Sequence, residues 1–110
     1  MTPADILSDI RSAISDESSG RWTDTVLRTY MLDAELRIVR DHPESQYHTR
    51  LANSVPALLT SNTDSLTVGA SWRNAVIHFV AFRVFSEDGE DTANAALAKS
   101  HYALFEGSMK

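Results

Sequence analysis

The sequence predicts a mainly α-helical domain: a small bundle of four or so helices, with an irregular or β-hairpin insertion between the second and third long helices. Three observations carry that expectation. Apolar residues recur at helical spacing in four separate stretches. Each stretch is bounded by residues that start or stop helices. The length of 110 residues, with 43% hydrophobic and 23% charged side chains, suits one modest core rather than a disordered chain. Residues 1–110 therefore read as one domain, closing in a short C-terminal tail at 106–110.

The first helix is expected to begin at Thr2, a good N-cap, followed by Pro3, whose missing N–H has no helical partner in the first turn anyway. Ile6, Leu7, Ile10, Ala13 and Ile14 then form one amphipathic stripe, and Ser15 to Gly20 is a polar break. The second helix is expected from Thr23, with Asp24 favourable in its first turn, to Arg40 or Asp41, because Pro43 disfavours helical backbone just before it.

Its apolar pattern is double. Leu27, Tyr30, Met31, Ala34 and Ile38 share one face, while Leu32, Leu36 and Val39 form a second stripe rotated by roughly 120–140°. A helix on the surface of a monomer needs only one apolar face, so two stripes imply contact on two sides. Asp24–Arg28 and Asp33–Arg37 have the spacing of i,i+4 ion pairs on the remaining sectors.

Between 44 and 70 the periodicity changes. Tyr47, Thr49, Leu51 and Val55 fall at spacings of two and four, Leu66 and Val68 alternate, and Pro56, Asn62 and Gly69 punctuate the stretch. A short hairpin or an extended arm fits this better than a helix. The third helix is expected from an N-cap at Ser71. Between Ala75 and Phe85 only His78 and Arg83 are polar, so this helix is buried nearly all round. Ser86-Glu87-Asp88-Gly89 reads as a helix-ending turn. The fourth helix opens near Asp91 or Thr92, lines one face with Ala93, Leu97, His101, Leu104 and Phe105, flanked by Ala98 and Tyr102, and is expected to end at Gly107.

Composition narrows function. The net charge is -5, and the ten Lys and Arg are scattered. Phosphate contacts dominate nucleic-acid affinity, so sequence-specific DNA binding is disfavoured. With no cysteine there is no disulfide, thiolate nucleophile or Cys-ligated metal. No basic, then apolar, leader is visible, and no run reaches the ~18 apolar residues of a membrane span.

The search for chemistry yields no catalytic set. The four histidines, 42, 48, 78 and 101, lack metal-ligand spacing; His78 and His101 lie on separate helices and could meet in space, and hydrogen-bonded helix histidines are the favoured reading. The acidic run Glu87, Asp88, Glu90 and Asp91 does not follow the order of an EF-hand loop and reads as a solvated turn. Neither a G-x-S-x-G elbow nor a glycine-rich phosphate loop occurs in a chain with four glycines. Trp72, Phe79, Phe82, Phe85, Tyr102 and Phe105 read as core, with a ligand pocket as the alternative. The expectation is a structural protein, not an enzyme, with no cofactor and no metal. Two other classes compete with it: a small helical DNA-binding regulator and a helical ligand-binding domain.

Three segments carry a resemblance. Arg21-Trp22-Thr23-Asp24, leading to Glu35-Leu36-Arg37-Ile38-Val39-Arg40-Asp41-His42-Pro43, resembles the "W-[ST]-D … E-I-V … P" segment of head–tail connector (adaptor, or head-completion) proteins of tailed bacteriophages. Trp72 to Asp88 resembles their apolar helix followed by Arg and S-x-D, and Asn94, Ala95, Ala98, His101, Tyr102 and Phe105 resemble their closing "N-x-A-x-A-x-x-H-Y-x-x-F" helix. The similarity spans about Asp5 to Phe105.

It implies a virion protein of the head–tail neck, assembled in the host cytoplasm. Such a protein forms a homo-oligomeric ring, commonly of twelve, beneath the portal protein, and presents a surface to a downstream tail-side connector or tail protein. DNA passes through the ring without sequence-specific binding, and no membrane is involved. The resemblance assigns portal docking to Gly107, Ser108, Met109 and Lys110, and it implies that the family's middle segment holds a hairpin or loop for neighbour contacts. A ring subunit makes heterologous contacts, so Leu32, Leu36 and Val39 become the expected inter-subunit interface.

Overall fold

A computed structural model describes residues 1–14, 22–42, 59–64, 66–87 and 92–109, with the side chains of 92 and 93 left aside. Four helices make the domain: α1 (Pro3–Ile14), α2 (Asp24–Asp41), α3 (Arg73–Glu87) and α4 (Thr92–Ser108), with a 3-10 turn at Ala70–Trp72 leading into α3. The all-α expectation holds. Tyr47, Thr49, Leu51 and Val55 lie outside the described residues, as does the polar break after α1; among the described residues between α2 and α3 there is no strand. Leu66 and Val68 are both fully buried, on irregular backbone rather than on one face of a hairpin strand.

The helix starts follow local chemistry. At α1, the Thr2 N–H donates to the Asp5 carboxylate at 2.8 Å, the return arm of a capping box, and these bonds hold the Asp5 carboxyl below the usual carboxylate range. The free Ala4 N–H of the first turn donates to the Asn62 carbonyl at 3.1 Å. At α2, Thr23 sits in extended backbone and its hydroxyl accepts from the Val26 N–H at 3.3 Å. Thr23→Ala should therefore cost about 1 kcal/mol in chemical denaturation, with the fold retained.

Two boundaries differ from expectation. Ser71 does not cap α3; it lies exposed in the 3-10 turn, and α3 begins two residues later at Arg73. Gly107 does not end α4, which runs through it to Ser108, so most of the expected tail is helix. A side chain at Gly107 would face open space.

α3 is the hub. It packs most extensively on α4, and also on α2 and α1. Val76, Val80 and Ala81 are fully buried, with Ala75 and Val84 nearly so. Ile6 and Ile10 of α1 and Leu27, Met31, Ala34 and Ile38 of α2 close the core on one side. On the other, Phe105 of α4 meets Phe79 edge-on at 5.0 Å, and Tyr102 meets Phe82 at 4.8 Å. The back of α3, where Phe82 and Phe85 lie, is thus covered by α4. The radius of gyration of 13.4 Å is that of one compact domain of this length, for which about 13 Å is typical.

Charged side chains tie the helices to one another. Arg11, itself buried, engages Asp24, Arg83 engages Asp33, and Arg73 engages Asp9. The acidic residues expected to pair along α2 therefore bind arginines of α1 and α3. Arg28 instead reaches the loop, donating to the Leu59 carbonyl at 3.2 Å and to Asn62 Oδ1 at 2.6 Å. Arg37 lies 3.7 Å from Asp41 and donates to the Tyr102 hydroxyl at 2.7 Å.

Candidate functional site

The second apolar stripe of α2 divides by depth. Leu36 is 41% exposed, pointing almost directly away from the core face at ~100° per residue. Leu32 and Val39 are half-buried, and Val39 packs on the core. α4 presents a second exposed stripe. Leu97 and Leu104, seven residues apart, are 42% and 51% exposed. This corrects the expected α4 face in part: Phe105 is buried as expected, whereas Leu97 and Leu104 turn outward and Ala98 and Met109 turn inward, with His101 and Tyr102 half-buried. α2 and α4 flank α3, so the two exposed leucine surfaces stand on separate elements.

The C-terminal residues differ in exposure. Met109 is buried against the core, its N–H bonded to the Glu106 carbonyl at 3.1 Å. The Ser108 hydroxyl donates to the Leu104 carbonyl at 2.9 Å. Gly107 is exposed, and Lys110 lies outside the described residues.

Along one edge of the α3–α4 seam lies a shallow groove of about 420 Å³, lined by Phe82, Ser86, Ala95, Ala98, Lys99 and Tyr102. Apolar surface dominates it, and Lys99 supplies its cationic group. Of the aromatic residues read as core, Phe79, Phe82, Tyr102 and Phe105 pack together, Phe85 lies on His101 and Trp72 lies against His42; Phe82 and Tyr102 also line this groove.

Elsewhere on the seam, His78 and His101 meet, their Nδ1 atoms 3.1 Å apart. Phe85 stacks on the His101 ring at 5.7 Å and 14°. Burial pushes both imidazoles below the ordinary histidine range, and for His101 the neighbouring His78 adds to the effect. The hydrogen-bonded reading of these histidines holds. Among the described residues no cluster of three or more His, Cys, Asp or Glu could hold a metal ion. Of the acidic run, Glu87 lies 3.8 Å from Arg83, and Asp88, Glu90 and Asp91 fall outside the described residues.

One polar group escaped the sequence reading. Glu35 is fully buried on α2. Its Oε2 accepts the Val68 N–H at 2.9 Å, fastening the loop to the helix, while Oε1 is buried without a partner. Burial raises its pKa to about 7, against the smaller opposing effect of the Val68 and Thr67 N–H groups. Glu35 lies at the margin of the α2 core face, four residues after Met31 and three before Ile38, and that spacing was the available signal.

Compared with protein families, with curated proteins and with solved structures, the chain matches none of them. No described helix is long and apolar enough to cross a membrane.

Proposed function

We propose that this chain is a structural assembly subunit: a head-to-tail connector that forms a ring below the portal of a tailed bacteriophage, extends the DNA channel and joins head to tail. The observation that carries the reading is the pair of exposed leucine surfaces, Leu36 on α2 and Leu97 with Leu104 on α4. A closed ring is built from heterologous contacts, in which one patch of each copy meets a different patch of the next. Two apolar surfaces on separate helices suit that requirement. The resemblance of residues 21–43 and 72–105 to connector proteins gives the role its specific form, and the reading assigns no catalytic step to the chain.

Portal docking is assigned to the C-terminal end of α4, with exposed Gly107 and the Ser108 and Lys110 positions as the contact and Met109 as the anchor that holds this end on the core. Net charge -5 suits a channel that must let DNA slide.

The direct test is particle mass by light scattering or native mass spectrometry, for the protein alone and mixed with portal-bearing capsids. Ring-sized assemblies are expected on the portal, and failure to associate with portal-bearing capsids would overturn the proposal. Leu36→Asp separates interface from fold. At an exposed helix position it should cost no more than about 1 kcal/mol of stability. In a dry interface the same charge should weaken association at least about tenfold. Normal rings from this variant would remove the second α2 stripe from the interface.

The groove favours one other reading, a helical ligand-binding domain. Its polar groups, Ser86, Lys99 and the Tyr102 hydroxyl, suit an apolar acid, and a screen of fatty acids by thermal shift tests that alternative.

A further inference from the structure

Imidazole Nδ1 atoms at hydrogen-bond distance impose a protonation rule. One ring must carry its proton on Nδ1 and the other must offer a lone pair there. The separation of the ring centroids, 5.4 Å, exceeds the 3.1 Å between the nitrogens by about the reach of both rings, so the two point at each other edge to edge. A neutral pair satisfies the rule. A pair with one added proton also satisfies it, with a charge-assisted bond, and stacked Phe85 offers an aromatic face to the cation. A pair with two added protons cannot: both Nδ1 atoms become donors, and two positive charges face each other at contact.

We propose that His78 and His101 form an acid-sensitive latch between α3 and α4, closed while the pair holds at most one added proton and released when it takes a second. The element it would release packs on α3 through Phe105, half-buried Tyr102 and small Ala98, with Met109 buried just past its end.

Among the described residues, no charged group engages the pair. On α3, Arg73 engages Asp9 of α1, and Arg83 engages Asp33 of α2 and lies near Glu87. On α2, Arg37 bonds Tyr102. On α4, Lys99 lines the groove and Glu106 is exposed. Burial acts on both imidazoles, and the neighbouring His78 acts on His101 as well.

The direction of the effect follows from linkage. Groups whose folded pKa lies below the unfolded value of about 6.5 contribute stability that is present above that pH and lost as pH falls through the folded value. The latch stands whether or not the chain builds a ring.

The test is a ring-resolved NMR titration of both histidines together with hydrogen exchange of α4 amides at about pH 7.5 and about pH 5. Expected are two resolved protonation steps shared by both rings, and an opening of α4 that grows about tenfold for each pH unit as pH falls from about 6.5 towards the second step. In His78→Gln, His101 should titrate in a single step at higher pH, and the acid-induced opening should disappear. Independent single-step titration of both rings in the wild-type protein would overturn the proposal. So would α4 exchange, corrected for intrinsic rate, that is no faster at the lower pH. The wild-type titration decides the matter even if the variant does not fold.

Discussion

Val76→Asp is expected to unfold the domain. Val76 is fully buried on α3, the helix against which α1, α2 and α4 all pack. A carboxylate there faces apolar side chains, and an unpaired buried charge costs several kcal/mol even after relaxation. Protonation limits the electrostatic cost but leaves an unsatisfied polar group and the lost packing of the isopropyl side chain. A loss of roughly 5 kcal/mol or more consumes most or all of the stability of a typical domain. Far-ultraviolet circular dichroism should lose its helical signal, and amide NMR dispersion should collapse. Val76→Ala removes apolar volume without adding charge and should leave a folded, less stable protein. The informative comparison is with Leu36→Asp, which introduces the same chemistry at a 41% exposed position and should leave the spectrum helical. If both variants unfolded alike, Leu36 would belong to the core and the interface reading would lose its support.

That contrast marks what local pattern can and cannot reveal. The existence of four helices was legible because each carries an apolar stripe between recognisable ends, and Thr23 was legible as a cap because capping involves residues three apart. Ser71 misled because a favourable cap residue says nothing about whether the turn after it is α or 3-10. On α4 the two leucines at i,i+7 looked like the buried stripe. Phe105 is indeed buried, but its inward companions are Ala98 and Met109 rather than the leucines. Periodicity finds stripes, but only the packed partner decides which of two neighbouring stripes is covered.

The tertiary ion pairs were hidden for the same reason: Asp33 has Arg37 one turn away, yet it pairs with an arginine fifty positions along the chain. The candidate surface was partly legible. Leu36 stood out by its phase on α2, whereas Leu97 and Leu104 emerged as surface residues once the α3–α4 packing was in view.

Glu35 was the least legible residue and gives the second large effect. Its partner N–H groups lie more than thirty positions away, on a loop whose path no local rule predicts. With a folded pKa of about 7 against an ordinary value of 4.5, Glu35 binds a proton in the folded state that the unfolded chain has already released. Its contribution to stability is therefore fully present below about pH 4.5 and is lost as pH rises through about 7. The separation corresponds to roughly 3 kcal/mol.

Glu35→Gln keeps an acceptor for the Val68 N–H and cannot ionise. It should match the wild-type protein near the acid end of that window and exceed its stability by roughly 3 kcal/mol at about pH 8. The histidine pair acts in the opposite sense over an overlapping range, so the pH dependence of the wild-type protein alone mixes both. The measurement that isolates Glu35 is the difference in unfolding free energy between wild type and Glu35→Gln, taken by urea titration across pH. A difference that grows with pH identifies a carboxyl held neutral by burial. A flat difference would mean that water or a proton donor reaches Oε1, and that the loop is fastened to α2 by an ordinary ionised carboxylate.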